Sequence, residues 1–184
     1  MNRDEFTTKA RTLDGGELIT FAFEVYGKRI AIGTSLQKTG SVIIDLASKS
    51  GLDYSVFFVD TLFNYDETIE FYHDIQKHYG IEIERLAPDP EDIEKLYETF
   101  GQFPWFSEFG RARCCEIRKR FPLLKKLQEL DGWISGLRSD QSDHRQKTAQ
   151  KVSVVNMGGR EVVKINPLFD WTQEQLEALS LIHI

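Results

Sequence analysis

Residues 29–51 read RIAIGTSLQKTGSVIIDLASKSG, and the order of polar and apolar positions in them decides the fold class. Arg29–Ile32 is a short β-rich run that ends at Gly33. Thr34-Ser35-Leu36-Gln37-Lys38-Thr39-Gly40 is small and polar, the composition of a turn. Ser41–Ser50 then sets Val42, Ile43, Leu46 and Ala47 on one face at helical spacing, and Gly51 closes it. Strand, polar turn and helix in that order open a strand–helix–strand unit.

The unit recurs downstream. Tyr54–Val59 is a nearly continuous apolar run, as in a strand covered on both faces, and it stops at Asp60-Thr61. Asp66–Tyr79 has helical periodicity with Gly80 as its cap. Ile81–Leu86 alternates apolar and charged residues, the pattern of a strand nearer an edge. Pro88-Asp89-Pro90 is a loop, with Pro90 suited to the first turn of a helix reaching Phe100. These passages predict an α/β fold with a mostly parallel sheet and right-handed crossovers.

The flanks are less regular. Met1–Gly16 reads as an irregular or short helical arm, and Glu17–Tyr26 as an amphipathic helix stopped at Gly27. Gly101–Gly110, rich in Gly, Phe and Trp, reads as irregular. Cys115–Leu130 reads as a basic helix that Pro122 must start, kink or split. Trp133–Ser135 is a short strand halted at Gly136, and a polar stretch, Arg138–Gln150, follows it. Val152–Val155 and Glu161–Ile165 form a hairpin turning at Asn156–Gly159. No repeat or linker divides the chain, so one domain is expected.

Composition narrows the class. The 184 residues, 41% hydrophobic and 28% charged, suffice for one core that buries roughly 70% of the unfolded surface. No apolar run approaches the ~20 residues of a membrane span, and no signal-peptide pattern opens the chain. The net charge of −6 argues against general nucleic-acid binding. The two cysteines, Cys114 and Cys115, are neighbours, which makes no disulfide framework. A reducing, cytoplasmic setting is the expectation.

Ligands of open α/β sheets bind outside the carboxyl ends of the strands. That edge collects three polar turns: Gly33–Gly40, Asp60–Asn64 and Gly136–Arg145. In the first, backbone N–H groups, hydroxyls and a helix N-terminus make an anion cradle without the Gly-Lys-Ser/Thr ending of a Walker A loop. In the second, Asp60 is placed to accept hydrogen bonds from ribose or an amine. The third packs Arg138, His144 and Arg145, and arginine meets sulfate or phosphate bidentately. Taken singly, each also reads as a plain turn, a turn aspartate or a solvated loop.

Cys114-Cys115 lies among Arg111, Arg113, Arg118, Lys119 and Arg120, at the expected start of a helix. Cations and a helix N-terminus both favour thiolate, so the pair reads as ligand or nucleophile, with a buried structural role as the alternative. Two thiolates do not close a metal site, since zinc or an iron–sulfur cluster takes four ligands. His73, His78, His144 and His183 have no spacing to supply the rest.

In combination these blocks resemble a family. Asp60-Thr61…Glu67-Thr68, Cys114-Cys115-x-x-Arg118-Lys119-x-x-Pro122-Leu123, Gly136-x-Arg138-x-x-Gln141-Ser142-x-x-Arg145 and Lys164-x-Asn166-Pro167-Leu168 occur in that order. They resemble the assimilatory adenylyl-sulfate (APS) and phosphoadenylyl-sulfate (PAPS) reductases over Lys28–Trp171. The resemblance implies an adenine-nucleotide α-hydrolase-like fold and thioredoxin-dependent reduction of APS to sulfite and AMP, in sulfate assimilation and cysteine biosynthesis. Thr34, Ser35, Gln37 and Thr39 would line the phosphosulfate, and Val59 and Asp60 the adenosine. Gly136, Arg138 and Arg145 would complete the substrate site. The adjacent cysteines imply the branch that carries a four-iron four-sulfur (4Fe-4S) cluster and prefers APS, with Lys119 between cluster and substrate. Thioredoxin or glutaredoxin would be the reductant, and a homo-oligomer is expected.

Departures from the family pattern shape the remaining expectations. Its second cysteine pair is absent, and so is its Glu-Cys-Gly-Leu-His tail with the nucleophilic cysteine. Leu179-Ser180-Leu181-Ile182-His183-Ile184 matches the translation of a common transposase sequencing adapter. Residues 1–178 are thus expected to be one truncated, inactive reductase domain with half a ligand set, and 179–184 a non-native tail. The alternatives are a PAPS reductase or a non-redox nucleotide-binding protein of the same fold. An ATP-pyrophosphatase relative is disfavoured, because Thr34–Gly40 lacks the Ser-Gly-Gly-x-Asp-Ser loop.

Overall fold

The structure is a computed structural model that describes residues 1–183, side chains excepted at His144 and 180–183. The readings placed on the His144 side chain and, within the expected tail 179–184, on the side chains of 180–183 and on Ile184 lie outside the described residues. Six strands form one sheet: β1 (Ile30–Thr34), β2 (Val56–Val59), β3 (Ile83–Leu86), β4 (Gly132–Ser135), β5 (Val152–Met157) and β6 (Arg160–Ile165). Their spatial order is β3-β2-β1-β4-β6-β5, every pairing parallel except β5 with β6. The expected mostly parallel α/β sheet is the one found, with β3 at an edge.

Alternation along the strands divides the core. Ile30, Ile32, Val56, Phe58, Ile134, Val163 and Ile165 are buried on one face. They pack under α1 (Arg3–Ala10), α2 (Gly15–Tyr26), α3 (Lys38–Lys49), α4 (Asp66–Tyr79) and α9 (Gln173–His183). Ala31, Phe57, Trp133 and Val162 turn to the other face against Leu127 and Leu130. There α7 (Phe121–Leu127) is the cover, and the carboxyl half of the face stays open. Leu176 and Leu179 of α9 join the first core.

Capping explains the elements missed or shifted. Asn2 and Glu5 form a capping box that starts α1, whose Phe6 stacks on Phe21 with centroids 5.1 Å apart. Asp14 and Glu17 form a second box, so α2 begins at Gly15. Strand β1 runs on through Gly33, which pairs with both neighbours, and Thr34, which pairs with Phe58 of β2. Helix α3 starts at Lys38, which brings Thr39 and Gly40 into its first turn. The hairpin closes on Gly158 and Gly159, both at positive φ, as a two-residue turn between twisted strands demands.

The cysteine pair departs from expectation. Helix α6 (Glu108–Cys115) begins seven residues earlier than Cys115, where Ser107 accepts from the Gly110 N–H at 3.0 Å. Cys114 and Cys115 therefore close a helix instead of opening one, and the N-terminal dipole does not act on them. The chain continues through a π turn, Glu116–Arg120, into α7, where Pro122 is at the start. Pro122 supplies no N–H to the helical ladder, and the ladder widens just before it.

Asp131 fastens the amino edge of the sheet. It precedes β4 and pairs with Arg29, before β1, and with Arg160 of β6. Burial alone would raise its carboxyl, but hydrogen bonds from the two guanidinium groups outweigh that and hold it low. A lowered carboxyl stabilises the fold above its unfolded pKa and loses that contribution as pH falls through the folded one. Asp131→Asn should cost about 1 kcal/mol at neutral pH and less in acid, the gap narrowing as pH falls through the folded pKa. Urea midpoints of both proteins at neutral and acid pH check this, and an equal gap at both would refute it.

Candidate functional site

Strand β1 has β2 on one side and β4 on the other, so the chain leaves it in opposite directions and a crevice opens over its carboxyl end. A cleft of about 970 Å³ occupies that place, floored by Phe57 and Trp133. Thr34, Ser35, Gln37 and Thr39 line it from β1 and α3, Val59 from β2, and Gly136 and Arg145 from the third turn. Cys114, Cys115, Arg118 and Lys119 line it from the α6–π-turn segment. Ten of the residues expected at the site, with Arg118 beside them, thus meet in one cleft.

The turns after β1 and β2 are built alike. The Leu36 N–H donates to Thr34 Oγ1 at 2.9 Å, and the Leu62 N–H to Asp60 Oδ1 at 2.8 Å. Leu36 has φ +57° and Leu62 φ +58°. A left-handed leucine costs on the order of 1–2 kcal/mol, and such strain collects at ligand-handling loops. Close packing sets the rest of the cradle. A Cβ on Gly40 would lie 2.1 Å from Thr34 Oγ1, and one on Gly136 would lie 2.6 Å from Thr39 Oγ1. Gln37 stands at the α3 N-cap without a side-chain hydrogen bond to the first turn, leaving that helix end facing the cleft as an anion site.

Two expected residues point elsewhere. Asp60 is 1% exposed and does not line the cleft. Its carboxylate accepts from Leu62 N–H and from Asn64 Nδ2 at 2.6 Å, and pairs with Arg85 of β3. A buried carboxylate needs such partners, so Asp60 shapes the turn after β2 from behind it. Arg138 is 4% exposed, held by Asp140 through Nε at 2.9 Å and Nη2 at 3.0 Å, and by Gln173 at 2.7 Å. It lines a separate cavity of about 480 Å³ with Gln37 and Thr39, on the far side of the first turn.

Sequence reasoning missed two features. Arg118, 5% exposed, donates to Thr61 O at 2.7 Å and to Tyr97 Oη at 2.9 Å, and lies 4.2 Å from the Phe63 ring centroid. It clamps the turn after β2 to the π turn that carries Lys119. The other feature is an aromatic rim: Phe63, Tyr65 and Trp105 line the cleft, with Phe63 and Trp105 edge to face at 5.7 Å. The aromatic density of Gly101–Gly110 was the signal, since rings in a Gly/Pro-rich loop have no strand or helix face to bury.

Cys114 is half-buried and Cys115 exposed, both as free thiols. Among the described residues no group of three or more His, Cys, Asp or Glu side chains converges to hold a metal ion. The two cysteines of the sequence make half the donor set of a four-iron cluster, so the chain's own residues do not fit a complete one. No helix among the described residues is long and apolar enough to cross a membrane.

The chain is similar to known proteins. The family model for the phosphoadenosine phosphosulfate reductase domain matches residues 29–182. An adenosine 5'-phosphosulfate reductase of Halalkalibacterium halodurans is 34% identical over 184 residues, which is 100% of this chain and 77% of that one. A protein of the same description from Pseudomonas aeruginosa is 34% identical over 166 residues, 87% of this chain and 60% of its own. A phosphoadenylyl-sulfate reductase from Candida auris, solved as a phosphate complex, matches with TM-score 0.75 at 22% identity, covering 97% of this chain and 85% of its own. The Candida glabrata FMN adenylyltransferase matches with TM-score 0.61 at 14% identity, covering 95% and 56%. At those identities the two structures show the fold alone, and it is the adenine-nucleotide α-hydrolase-like fold expected from the sequence. With the family model spanning nearly the whole chain, and a relative that matches it end to end, this chain belongs to the phosphoadenosine phosphosulfate reductase family.

Proposed function

We propose that the cleft binds adenylyl sulfate for thiol-dependent reduction to sulfite and AMP. The observation that carries this reading is the convergence of the anion cradle, the aromatic rim, Arg145, Lys119 and the cysteine pair on one cleft. Adenosine lies against Val59 and the rim, where rings supply apolar area and stacking. The phosphosulfate crosses the N-terminus of α3, within reach of Thr34, Ser35, Gln37 and Thr39. Lys119 and Arg145 draw the anion in.

The chemistry asked of such a site is transfer of a sulfonyl group. A thiolate attacks the sulfur, the bond from sulfur to the bridging phosphate oxygen breaks, and AMP leaves with that electron pair. A dithiol protein of the thioredoxin or glutaredoxin class then reduces the enzyme S-sulfocysteine, releasing sulfite and ending as a disulfide. The chain's residues bind and orient the nucleotide for this step. The resemblance assigns the nucleophile to a Glu-Cys-Gly-Leu-His motif that the 184 residues do not contain, so the chain is expected to bind without turning over. The adjacent cysteines and the names of the relatives favour APS over PAPS.

Titration calorimetry with APS, PAPS and AMP tests the assignment. APS should bind about tenfold more tightly than PAPS, a difference of about 1.4 kcal/mol; binding of none of the three would remove it. Thr34→Val keeps the side-chain shape but removes the acceptor that holds Leu36, and should weaken APS by about tenfold. Unchanged APS affinity in that variant would show that the first turn is not the cradle. With iron and sulfide but no added thiol, the 184-residue chain should assemble no stable 4Fe-4S cluster. A cluster that survives gel filtration, by its iron content and Mössbauer spectrum, would overturn the ligand count.

A further inference from the structure

We propose that Arg118 is a positioning residue for the adenine base, acting through the Phe63 ring and held by Tyr97 from outside the cleft. This role rests on the sulfonucleotide reading above and names what orients the base-binding rim. Arg118, in the π turn, is 5% exposed. Its Nη1 donates to Thr61 O at 2.7 Å and its Nη2 to Tyr97 Oη at 2.9 Å. Arg118, Thr61 and Phe63 line the cleft, whereas Tyr97, on α5 (Pro90–Phe100), does not.

The guanidinium sets its charge against rings. Its central carbon lies 4.2 Å from the Phe63 centroid and 5.9 Å from that of Tyr97. Among the described residues no carboxylate pairs with it, and its Nε is buried without a hydrogen-bond partner. A desolvated cation so placed is drawn to the negative face of an aromatic ring. Phe63 is 54% exposed, in the turn after β2. A ring that exposed has little packing to choose its rotamer, and the guanidinium over one face supplies the choice. Trp105 meets Phe63 edge to face at 5.7 Å, and Phe103 meets Trp105 in the same way at 5.6 Å. Phe63 is thus pinned on one face by Arg118 and braced by the rim, with its other face left for a base.

Stacking depends on the tilt and offset of the two planes. A ring already oriented has no rotamer freedom to lose when the base arrives, so the affinity that Phe63 supplies depends on the guanidinium behind it. Tyr97 contributes at one remove: its Oη holds Nη2 while Thr61 O holds Nη1, and a planar fork held at both tips does not swing off the ring. Lysine at position 118 would keep the charge, but a single ammonium does not reproduce the fork that spans both acceptors.

A double-mutant cycle tests the relay. Arg118→Lys, Tyr97→Phe and Phe63→Leu are titrated with APS, singly and with each of the first two combined with Phe63→Leu, and every variant is melted to confirm folding. Phe63→Leu and Arg118→Lys should each weaken APS by about fivefold, and Tyr97→Phe by about threefold. Because Arg118 and Tyr97 act through the ring, both combinations should bind APS about fivefold more weakly than the parent, the loss of Phe63→Leu alone. If Arg118→Lys melts early, the Tyr97–Phe63 cycle decides by the same criterion. Unchanged affinity in Phe63→Leu or in Tyr97→Phe overturns the proposal. So do losses that multiply, to about 25-fold with Arg118→Lys and about 15-fold with Tyr97→Phe, which would leave Arg118 as a clamp on the cleft wall alone. A parent that does not bind APS overturns the function itself, an outcome distinct from these.

Discussion

Parallel pairing of β1 with β2 on one side and β4 on the other is the constraint from which the rest follows. Parallel strands deliver their carboxyl ends to one edge, and a central strand with its partners on both sides leaves no room there for a connecting helix to cross. Gly33 makes the pairing close: a Cβ on it would meet the Phe57 ring at 2.7 Å. The turns after β1, β2 and β4 are thereby gathered around one cleft, although residues 34 and 145 are far apart in the chain.

Onto that edge the chain loads strain and burial that packing must offset. Leu36 and Leu62 hold left-handed conformations, each fixed by a side-chain oxygen two residues earlier. Asp60 keeps a buried charge because Arg85 neutralises it from the edge strand. Arg118 joins the second turn to the π turn, so Lys119 and the cysteines are positioned by the same buried guanidinium that holds Thr61. Cleft geometry is accordingly set by residues behind its wall as much as by those lining it.

Much of this was legible in one dimension. The alternation of apolar runs with small polar turns located β1 through β4 and helices α4 and α5 (Pro90–Phe100), α4 to the residue. Glycine and proline placed the ends, because their backbone limits act locally. The shifted boundaries were those that depend on reciprocal caps, as at Asp14 and Glu17, or on pairing with neighbouring strands, as at Gly33 and Thr34. The cysteine pair was assigned to the wrong end of a helix because a Ser107 cap in an aromatic stretch is a weak signal beside Pro122.

The sequence by itself determined the α/β class, the polar turns that end on one edge, the membership implied by their spacing, and the presence of only two thiols. These follow from periodicity, backbone preference and residue identity, which are properties of neighbours along the chain. Only the tertiary structure decided which side chains face the cleft. It turned Asp60 and Arg138 toward Arg85, Asp140 and Gln173, brought Phe63 and Trp105 together as a rim, and set Lys164 against Trp133. Each of those outcomes depends on a partner from a distant segment, and burial makes the choice of partner through space, where local sequence carries no record of it.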